Sequence, residues 1–179
     1  MFRKLFGSKE SVSAQDQQVY DEIRRTFPLL VIQPSQDQID SGLEEWAWVK
    51  PPHTPPVLVS AFGDLFFQTP DGVVMLDTLE GDLVRVAGGA AELRAQLATD
   101  EGRDHLLSEV WVLAGRRRGL SLDEGECFDW ITPPIIGGAI AEDNIRKTLF
   151  TVKLNLAGQV HRQVKLLPPG TPVTGVTVD

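Results

Sequence analysis

Residues 56–87 most constrain what this chain can fold into, because three runs of β-forming residues alternate there with two turn sequences. The runs cover residues 57–68, 73–77 and 83–86, and the turns cover residues 69–72 and 80–82. The proline, aspartate and glycine residues of the turns supply the backbone angles that tight turns need. The pattern predicts a meander of three antiparallel strands.

The three strands are expected to differ in their surroundings. Residues 73–76 are apolar at every position, which is typical of a strand covered on both faces. Residues 83–86 alternate less clearly and are predicted to lie nearer an edge. Together with the helical patterns on either side, the meander indicates an α+β fold: a central antiparallel sheet flanked by helices, with an N-terminal helical pair.

Composition favours an ordinary globular chain. With 179 residues, 42% hydrophobic and 23% charged, it can bury the core of one domain. The net charge of −8 disfavours binding to nucleic acid or anionic lipid, and it favours attraction to a basic protein. A single cysteine, the lack of a signal-like start and the lack of an apolar run near 20 residues predict a cytoplasmic protein without a membrane span.

The front of the chain divides into two parts. Residues 1–12 are predicted to be a mobile tail, although their basic and apolar side chains leave a membrane-surface hook as an alternative. Residues 13–55 are predicted to be a helical segment. One helix covers residues 14–26 with Ser13 at its cap, and a second begins after Ser35, with Gln38 completing a capping box, and ends before Pro51. Residues 51–56 are proline-rich and predict a stiff connector, with a polyproline ligand as the alternative.

Residues 56–179 are predicted to form the α+β domain. Beyond the meander we expect helices at residues 90–98 and 103–118 and a strand at residues 126–131. Three arginines followed by Gly119 indicate a helix C-terminus, with an anion-binding patch as the alternative. Residues 149–166 fit a strand and a helix almost equally, and we favour the helix because Pro168 follows it. Residues 171–178 would add a short strand.

Known catalytic patterns are missing from the sequence. The histidines His53, His105 and His161 are scattered and Cys127 is alone, so we expect neither a metal site nor a cofactor. A dyad of Cys127 with His161 is possible in principle, but a lone cysteine in an apolar strand is more often a small buried hydrophobe. Carboxylates around the meander are mostly turn residues.

Several short motifs follow one another from the meander to the end of the chain. They are Phe62-Gly63-Asp64-Leu65-Phe66, Leu76-Asp77-Thr78, Cys127-Phe128 before Pro133-Pro134, Gly137-Gly138, Asp143-Asn144, and residues 158–165 and 167–171. In this order and spacing the chain resembles the C-terminal domain of type VI secretion immunity proteins, the group that counters a DNase effector. More weakly, it resembles SMI/KNR-like immunity and regulatory proteins. Compared with the full-length immunity pattern, we expect the companion domain often found in front of the immunity domain to be shortened or missing in residues 1–55.

The resemblance implies a stoichiometric protein that clamps a secreted, possibly basic, nuclease toxin and catalyses nothing itself. Partner- or ligand-binding residues would be Asp64, Asp77, Asn144, Gln159, His161 and Gln163, and structural motif residues would be Gly63, Pro133, Gly137, Gly138 and Gly158. We expect Asn144, Gln159, His161 and Gln163 on the last helix. These polar residues would either line a groove or pair backbone groups around the Gly137-Gly138 loop, and we favour the second role.

Three functions therefore stay open. The first is an immunity protein, the second is a regulatory module that binds a ligand or partner, and the third is a small hydrolase. The hydrolase would use Asp64 or Asp77 with His161, and it requires these groups to converge in a cleft.

Overall fold

The predicted meander is the centre of a five-stranded antiparallel sheet in the computed structural model of this protein, which describes residues 12–168. The strands are β1 (Val31–Ile32), β2 (Leu58–Ser60), β3 (Leu65–Thr69), β4 (Gly72–Asp77) and β5 (Asp82–Ala87), and they pair in chain order. The α+β fold is confirmed, and β5 lies at the predicted edge. The predicted tail and the strand at residues 171–178 fall outside the described residues, except for Val12.

The run at residues 57–68, predicted as one strand, is two strands joined by a turn. Gly63 has a φ of +86°, a left-handed conformation that glycine adopts without the steric cost of a Cβ. The Ser60 hydroxyl accepts a hydrogen bond from the Asp64 backbone N–H (3.0 Å) and donates one to the Asp64 carboxylate (2.7 Å). The turn is not predicted from the sequence, because the residues around Ser60, Gly63 and Asp64 are apolar and suit one continuous strand.

The N-terminal segment contains the two predicted helices and one unpredicted strand. Helix α1 (Ala14–Thr26) is capped by Ser13, and α2 (Gln36–Leu43) begins with the predicted capping box of Ser35 and Gln38. A 3₁₀ helix (Glu44–Val49) continues α2. Strand β1 lies between the two helices in the chain and pairs with β2, so the segment also contributes to the sheet.

The prediction of one helix over residues 103–118 is wrong. Two helices are present, α4 (Asp100–Leu107) and α5 (Glu109–Arg117), preceded by the predicted short helix α3 (Ala90–Leu97). Ser108 separates them with a left-handed φ of +54°, and the Asp104 carboxylate accepts a hydrogen bond from the Val110 N–H (3.1 Å). Gly119 has a φ of +83° after α5, as the capping interpretation requires.

A second, two-stranded sheet joins β6 (Glu126–Trp130) to β7 (Ile145–Leu149), which runs directly into α6 (Phe150–Lys165). The helical interpretation of residues 149–166 is therefore confirmed. Strand β7 is not predicted by the sequence because only Ile145 in it is buried, and its central residues Arg146, Lys147 and Thr148 are polar. Ion pairs to β6 hold it instead: Arg146 with Asp129 (2.8 Å) and Lys147 with Glu126 (2.8 Å).

The core lies on both faces of the five-stranded sheet. Along β3, Phe66 packs into one cluster with side chains of α1, α3 and α5, while Leu65 and Phe67 pack into the other with Trp46 and Leu154. Strand β4 alternates in the same way, as expected for a strand covered on both faces. Helices of the N-terminal segment thus lie on each side of the sheet. Within residues 12–168 no helix has the length and apolar character needed to cross a bilayer.

Candidate functional site

A pocket of about 400 Å³ opens beside the β2–β3 turn, between α5, α6 and the end of β6. One wall is the loop that follows β6, through Pro133 and neighbouring isoleucines. Helix α6 contributes one continuous face, because its lining residues follow the i, i+3, i+4, i+7, i+8 spacing of a helix stripe. These residues are Lys153, Leu156, Ala157, Val160 and His161.

Two further depressions lack the features of a site. One lies beside β1 and has a volume of about 330 Å³, and a larger one of about 860 Å³ lies between α2 and the proline-rich connector. Of the buried polar side chains in the described part of the chain, none lines either depression, whereas five line the pocket: Asp64, Thr78, Asp129, Lys153 and His161. Buried polar groups cost free energy unless they are paired, so their concentration marks the pocket as the candidate site.

Thr78 is the centre of the polar floor of the pocket. It follows β4, and Asp64 precedes β3, so antiparallel pairing of these strands brings two separate sequence motifs together. The Asp64 carboxylate oxygen Oδ1 accepts hydrogen bonds from the Thr78 N–H (2.9 Å) and hydroxyl (2.6 Å). Its Oδ2 accepts from Ser60, so both oxygens of this buried carboxylate are occupied in stabilising the turn and the strand end.

Lys153 reaches the same threonine from α6. Its side chain is only 6% exposed, and its ammonium donates a hydrogen bond to the Thr78 hydroxyl. The ammonium also lies against Gly63: a Cβ at that position would be 3.3 Å from Nζ. The glycine is therefore needed both for its backbone angle and for the space that the lysine occupies.

His161 completes the floor. Its Nε2 lies 3.1 Å from the Thr78 carbonyl oxygen, so Nε2–H donates and Nδ1 carries no proton in the neutral ring. Burial lowers the pKa of His161, and the cationic Lys165 and Lys153 lower it further against the opposing effect of the Thr78 hydrogen bond. Nδ1 has no hydrogen-bond partner in the described structure and packs against Gly81, where an added Cβ would be 2.3 Å away.

The mouth of the pocket carries an ion pair. Arg146 on β7 donates from Nε (3.1 Å) and Nη2 (2.8 Å) to one carboxylate oxygen of Asp129 on β6. The two residues are directly opposite each other in the strand register, and the arginine side chain is 42% exposed. The exposed guanidinium gives this edge of the pocket a cationic group that solvent reaches.

Asp77 is the last residue of β4, at the start of the turn to β5, and is not among the pocket-lining residues. Its Oδ1 accepts hydrogen bonds from the backbone N–H groups of Leu79 (2.9 Å) and Glu80 (3.0 Å). Burial raises the pKa of Asp77, and the nearby charge of Asp64 raises it further. The convergence required for a hydrolase is thus found for Asp64 and His161 at Thr78, but Asp77 serves the turn.

Asn144 does not lie on the last helix, as expected from the sequence, but in a 3₁₀ helix (Glu142–Asn144) before β7. The expectation is wrong because α6 begins only at Phe150. Its side-chain amide accepts from the Thr132 N–H (2.9 Å) and donates to the carbonyl oxygens of Thr132 (2.8 Å) and Ala139 (2.7 Å). Asn144 therefore pairs backbone groups on both sides of the Gly137-Gly138 loop.

Gln159 and Gln163 lie one turn apart on α6, as expected, but neither is among the residues lining the pocket. Gln159 donates to the side chain of Asn155 (2.8 Å), and Gln163 donates to the carbonyl oxygen of Gln159 (3.3 Å). Of the six proposed binding residues, the structure brings Asp64 and His161 together in the pocket. The other four lie elsewhere.

The expected structural residues lie at tight points of the fold. Pro133 precedes the 3₁₀ turn Pro134–Ile136, and Gly137 ends it with a φ of +95°. A Cβ on Gly138 would be 1.8 Å from the Thr132 carbonyl oxygen, and one on Gly158 would be 2.8 Å from the carbonyl oxygen of Glu45. Gly138 and Gly158 thus permit backbone approaches that a side chain would block, whereas Gly137 supplies a left-handed backbone conformation.

Sequence reasoning missed the most distinctive residue of the pocket, Lys153. A signal was available: the lysine interrupts an apolar stripe formed by Phe150, Leu154 and Ala157, so a charged group is predicted on a buried helix face. The aromatic walls Trp111 and Trp130 carried no comparable signal, because a core position explains an aromatic residue equally well.

Cys127 and metal-ligating side chains are the other groups that chemistry could use. Cys127 is fully buried, and burial raises the pKa of its thiol to about 12. Among residues 12–168 no group of three or more histidine, cysteine, aspartate or glutamate side chains is placed to hold a metal ion. Comparison with protein-family models, with curated proteins and with solved structures finds no match to this chain.

Proposed function

We propose that this protein is a non-catalytic binding protein, and that it is an immunity protein that sequesters a secreted toxin of the nuclease type. The observation that carries the non-catalytic part is the state of the polar groups around Thr78. Both oxygens of Asp64 accept internal hydrogen bonds, and His161 directs one ring nitrogen to a carbonyl and the other to Gly81. A general acid or base needs an atom facing substrate, and these groups serve the fold.

Charge and motif order support the toxin as partner. A net charge of −8 steers a basic protein towards this surface and opposes binding to DNA or RNA. Nucleases that grip phosphates are commonly basic, so an acidic inhibitor competes for the surface that nucleic acid would occupy. The motifs from Phe62 to Thr171 supply the resemblance to immunity domains, and such an inhibitor acts in the cytoplasm of the cell that carries it.

The test is co-expression with the nuclease-type toxin encoded by a neighbouring gene. We expect a stable complex on gel filtration and inhibition of DNA cleavage that is complete at equimolar protein. The charge-matched control is an unrelated acidic protein of similar size, which should not inhibit. Absence of a complex at micromolar concentrations would contradict the proposal, and full inhibition at a small fraction of the toxin concentration would indicate turnover instead of sequestration.

A second candidate function is a regulatory module that binds a ligand or partner. The pocket at Thr78 favours it, because a buried lysine under aromatic walls is a typical arrangement for holding a small molecule. A gene that lies apart from any secretion cluster, together with saturable binding of a small molecule by the isolated protein, would favour this function over the first.

A further inference from the structure

We propose that the pocket at Thr78 binds a small organic acid, with the ligand carboxylate at Lys153 and an apolar or aromatic body against Trp111 and Trp130. This site goes beyond the proposed function, because it is complete in the isolated chain and requires no toxin.

Lys153 has hydrogen-bond donors that the protein itself does not use. An ammonium group has three N–H donors, and in the described structure this one makes a single hydrogen bond, to the Thr78 hydroxyl. It forms no ion pair with a carboxylate of residues 12–168, and the oxygens of the nearby Asp64 accept hydrogen bonds from Ser60 and Thr78 instead. A buried cation that lacks an anionic partner is costly, so the group is poised for one.

Lys153 is both buried, with only 6% of it exposed, and part of the pocket lining. The two oxygens of a carboxylate match the two N–H groups that remain, and such charge-assisted hydrogen bonds are among the strongest in proteins. The same ammonium repels a cationic group at this point of the pocket, although Asp64, Asp104 and Asp129 also line it.

The walls of the pocket are aromatic and apolar. Trp130 lies between Phe62, with ring centroids 5.3 Å apart, and Trp111, with centroids 5.7 Å apart. Ile135, Ile136 and Ile140 from the loop after β6 extend this apolar surface. The volume of about 400 Å³ lies near the lower end of the range for small-molecule sites, which is roughly 300–1,000 Å³. A ligand with a short apolar body fits these dimensions.

The rim of the pocket carries a second cationic side chain, Arg146. Arg146 uses Nε and Nη2 to bind Asp129, and its Nη1 has no acceptor among the described residues. The exposed arginine thus adds a second cationic group at the pocket mouth, where it attracts an incoming anion. Asp129 is already paired with it, so this carboxylate opposes an anion less than an unpaired one does, whereas Asp104, which accepts from the neutral Val110 N–H, keeps its full negative charge.

The experiment compares carboxylic acids with their neutral amides. Phenylbutyrate, octanoate and indole propionate, each with the matching primary amide, are titrated into the full-length protein while amide and indole N–H resonances are recorded by NMR. We expect at least one acid to bind with a Kd below about 1 mM, to shift the Trp111 and Trp130 indole signals, and to bind about tenfold or more tightly than its amide. Equal affinity of acid and amide, or no binding by any of the acids, would overturn the proposal.

Two substitutions of Lys153 test whether its ammonium group binds the ligand carboxylate. Lys153→Met should abolish the preference for acid over amide, and Lys153→Arg should retain much of it. Lys147→Met, at a half-exposed lysine that binds Asp123 and Glu126 outside the pocket, is the matched control and should change nothing. If Lys153→Met fails to fold, the comparison of acid with amide in the wild-type protein remains decisive. An undiminished preference in folded Lys153→Met would contradict the assignment.

A titration with peptides distinguishes a protein C-terminus from a free small acid as the source of the carboxylate. A hexapeptide ending in phenylalanine is compared in its free-acid and C-terminally amidated forms. Tighter binding of the free-acid peptide than of any small acid would identify a protein C-terminus as the source, whereas binding of small acids alone would identify a free metabolite. Because no toxin is present in these titrations, their failure leaves the proposed inhibition of a nuclease to its own test.

Discussion

Asn144 stabilises the loop that forms one wall of the pocket. Its amide makes three hydrogen bonds to backbone groups of Thr132 and Ala139, which lie on either side of the glycine pair. Since these bonds use both the oxygen and the nitrogen of the amide, no other side chain of this size supplies the same set. The residue therefore acts through the conformation of residues 132–139.

We predict that Asn144→Asp destabilises the protein by about 1–3 kcal/mol. The substitution keeps the shape of the side chain but removes two donors and directs a carboxylate oxygen at two carbonyl oxygens. Urea denaturation measures the free energy of unfolding, and Asp143→Ala at the exposed neighbouring position serves as the control, with a change within about 0.5 kcal/mol. Equal stabilities of the two variants would contradict the structural role of Asn144.

His161 makes stability depend on pH in a predictable direction. Its pKa in the folded protein is lowered by burial, so the unfolded chain takes up a proton first as the pH falls through about 6.5. Stability is then lost from about pH 6.5 downwards until the folded-state pKa is reached, with a slope of up to about 1.4 kcal/mol per pH unit.

We therefore predict that the free energy of unfolding falls more steeply between about pH 7.5 and 5.5 in the wild type than in His161→Gln. Glutamine keeps an N–H that is able to donate towards Thr78, and the other two histidines are present in both proteins, so their contributions cancel in the difference. Denaturant titrations at several pH values measure the slopes. Parallel slopes would mean that His161 has the same proton affinity in the folded and unfolded chains.

At the scale of elements, α6 depends on a close approach to the 3₁₀ helix (Glu44–Val49). A Cβ on Gly158 would lie 2.8 Å from the carbonyl oxygen of Glu45, which belongs to backbone that cannot swing aside as a flexible side chain does. Overpacking of this kind costs about 1–3 kcal/mol, while alanine gains about 1 kcal/mol over glycine in a helix interior. The steric cost should exceed the gain.

Gly158→Ala is accordingly predicted to lower the free energy of unfolding by up to about 2 kcal/mol. The helix-propensity part is measured separately at Val152, which is 43% exposed on the same helix, from the difference between Val152→Ala and Val152→Gly. A Gly158→Ala protein that is more stable than the wild type by this difference would show that the contact with Glu45 is loose.

The elements that could be predicted from the sequence are those with local signals. Ser13 caps α1, and Ser35 with Gln38 forms the capping box of α2, so the sequence itself marks where both helices begin. The edge position of β5 follows from its mixed polarity. Ser108 escaped prediction because one residue in a left-handed conformation leaves the apolar stripe of two helices almost continuous. Strand β7 escaped because, apart from the core residue Ile145, it pairs with β6 through backbone hydrogen bonds and ion pairs and leaves no apolar periodicity in the sequence.

The pocket was harder to predict than the fold, because its residues come from six separate segments of the chain. Thr78 and Asp64 were noticed as parts of separate motifs, yet only strand pairing brings them together. Lys153 contacts them from a helix whose very type was ambiguous in the sequence. A site built by tertiary convergence therefore becomes visible only when the register of β3 with β4 and the face of α6 are known.

At the scale of the whole molecule, residues 13–55 are joined to the rest of the chain by specific contacts. Trp46 donates from its indole nitrogen to the Leu154 carbonyl oxygen (2.7 Å), and Arg94 forms an ion pair with Glu22 (3.0 Å). Strand β1 pairs with β2. Helices of 13 and 8 residues are too short to be stable alone, so their folding requires the sheet that they cover.

This dependence predicts that residues 13–55 and the remainder unfold in one transition. In a Trp111→Phe, Trp130→Phe double variant the only tryptophans are Trp46 and Trp48, so fluorescence reports on the N-terminal segment while far-UV circular dichroism reports on all elements. We expect the two urea denaturation curves of this variant to coincide, because loss of the segment uncovers both faces of the sheet. A fluorescence midpoint at clearly lower urea would instead mean that the segment detaches first, and that the sheet and α6 are stable without it.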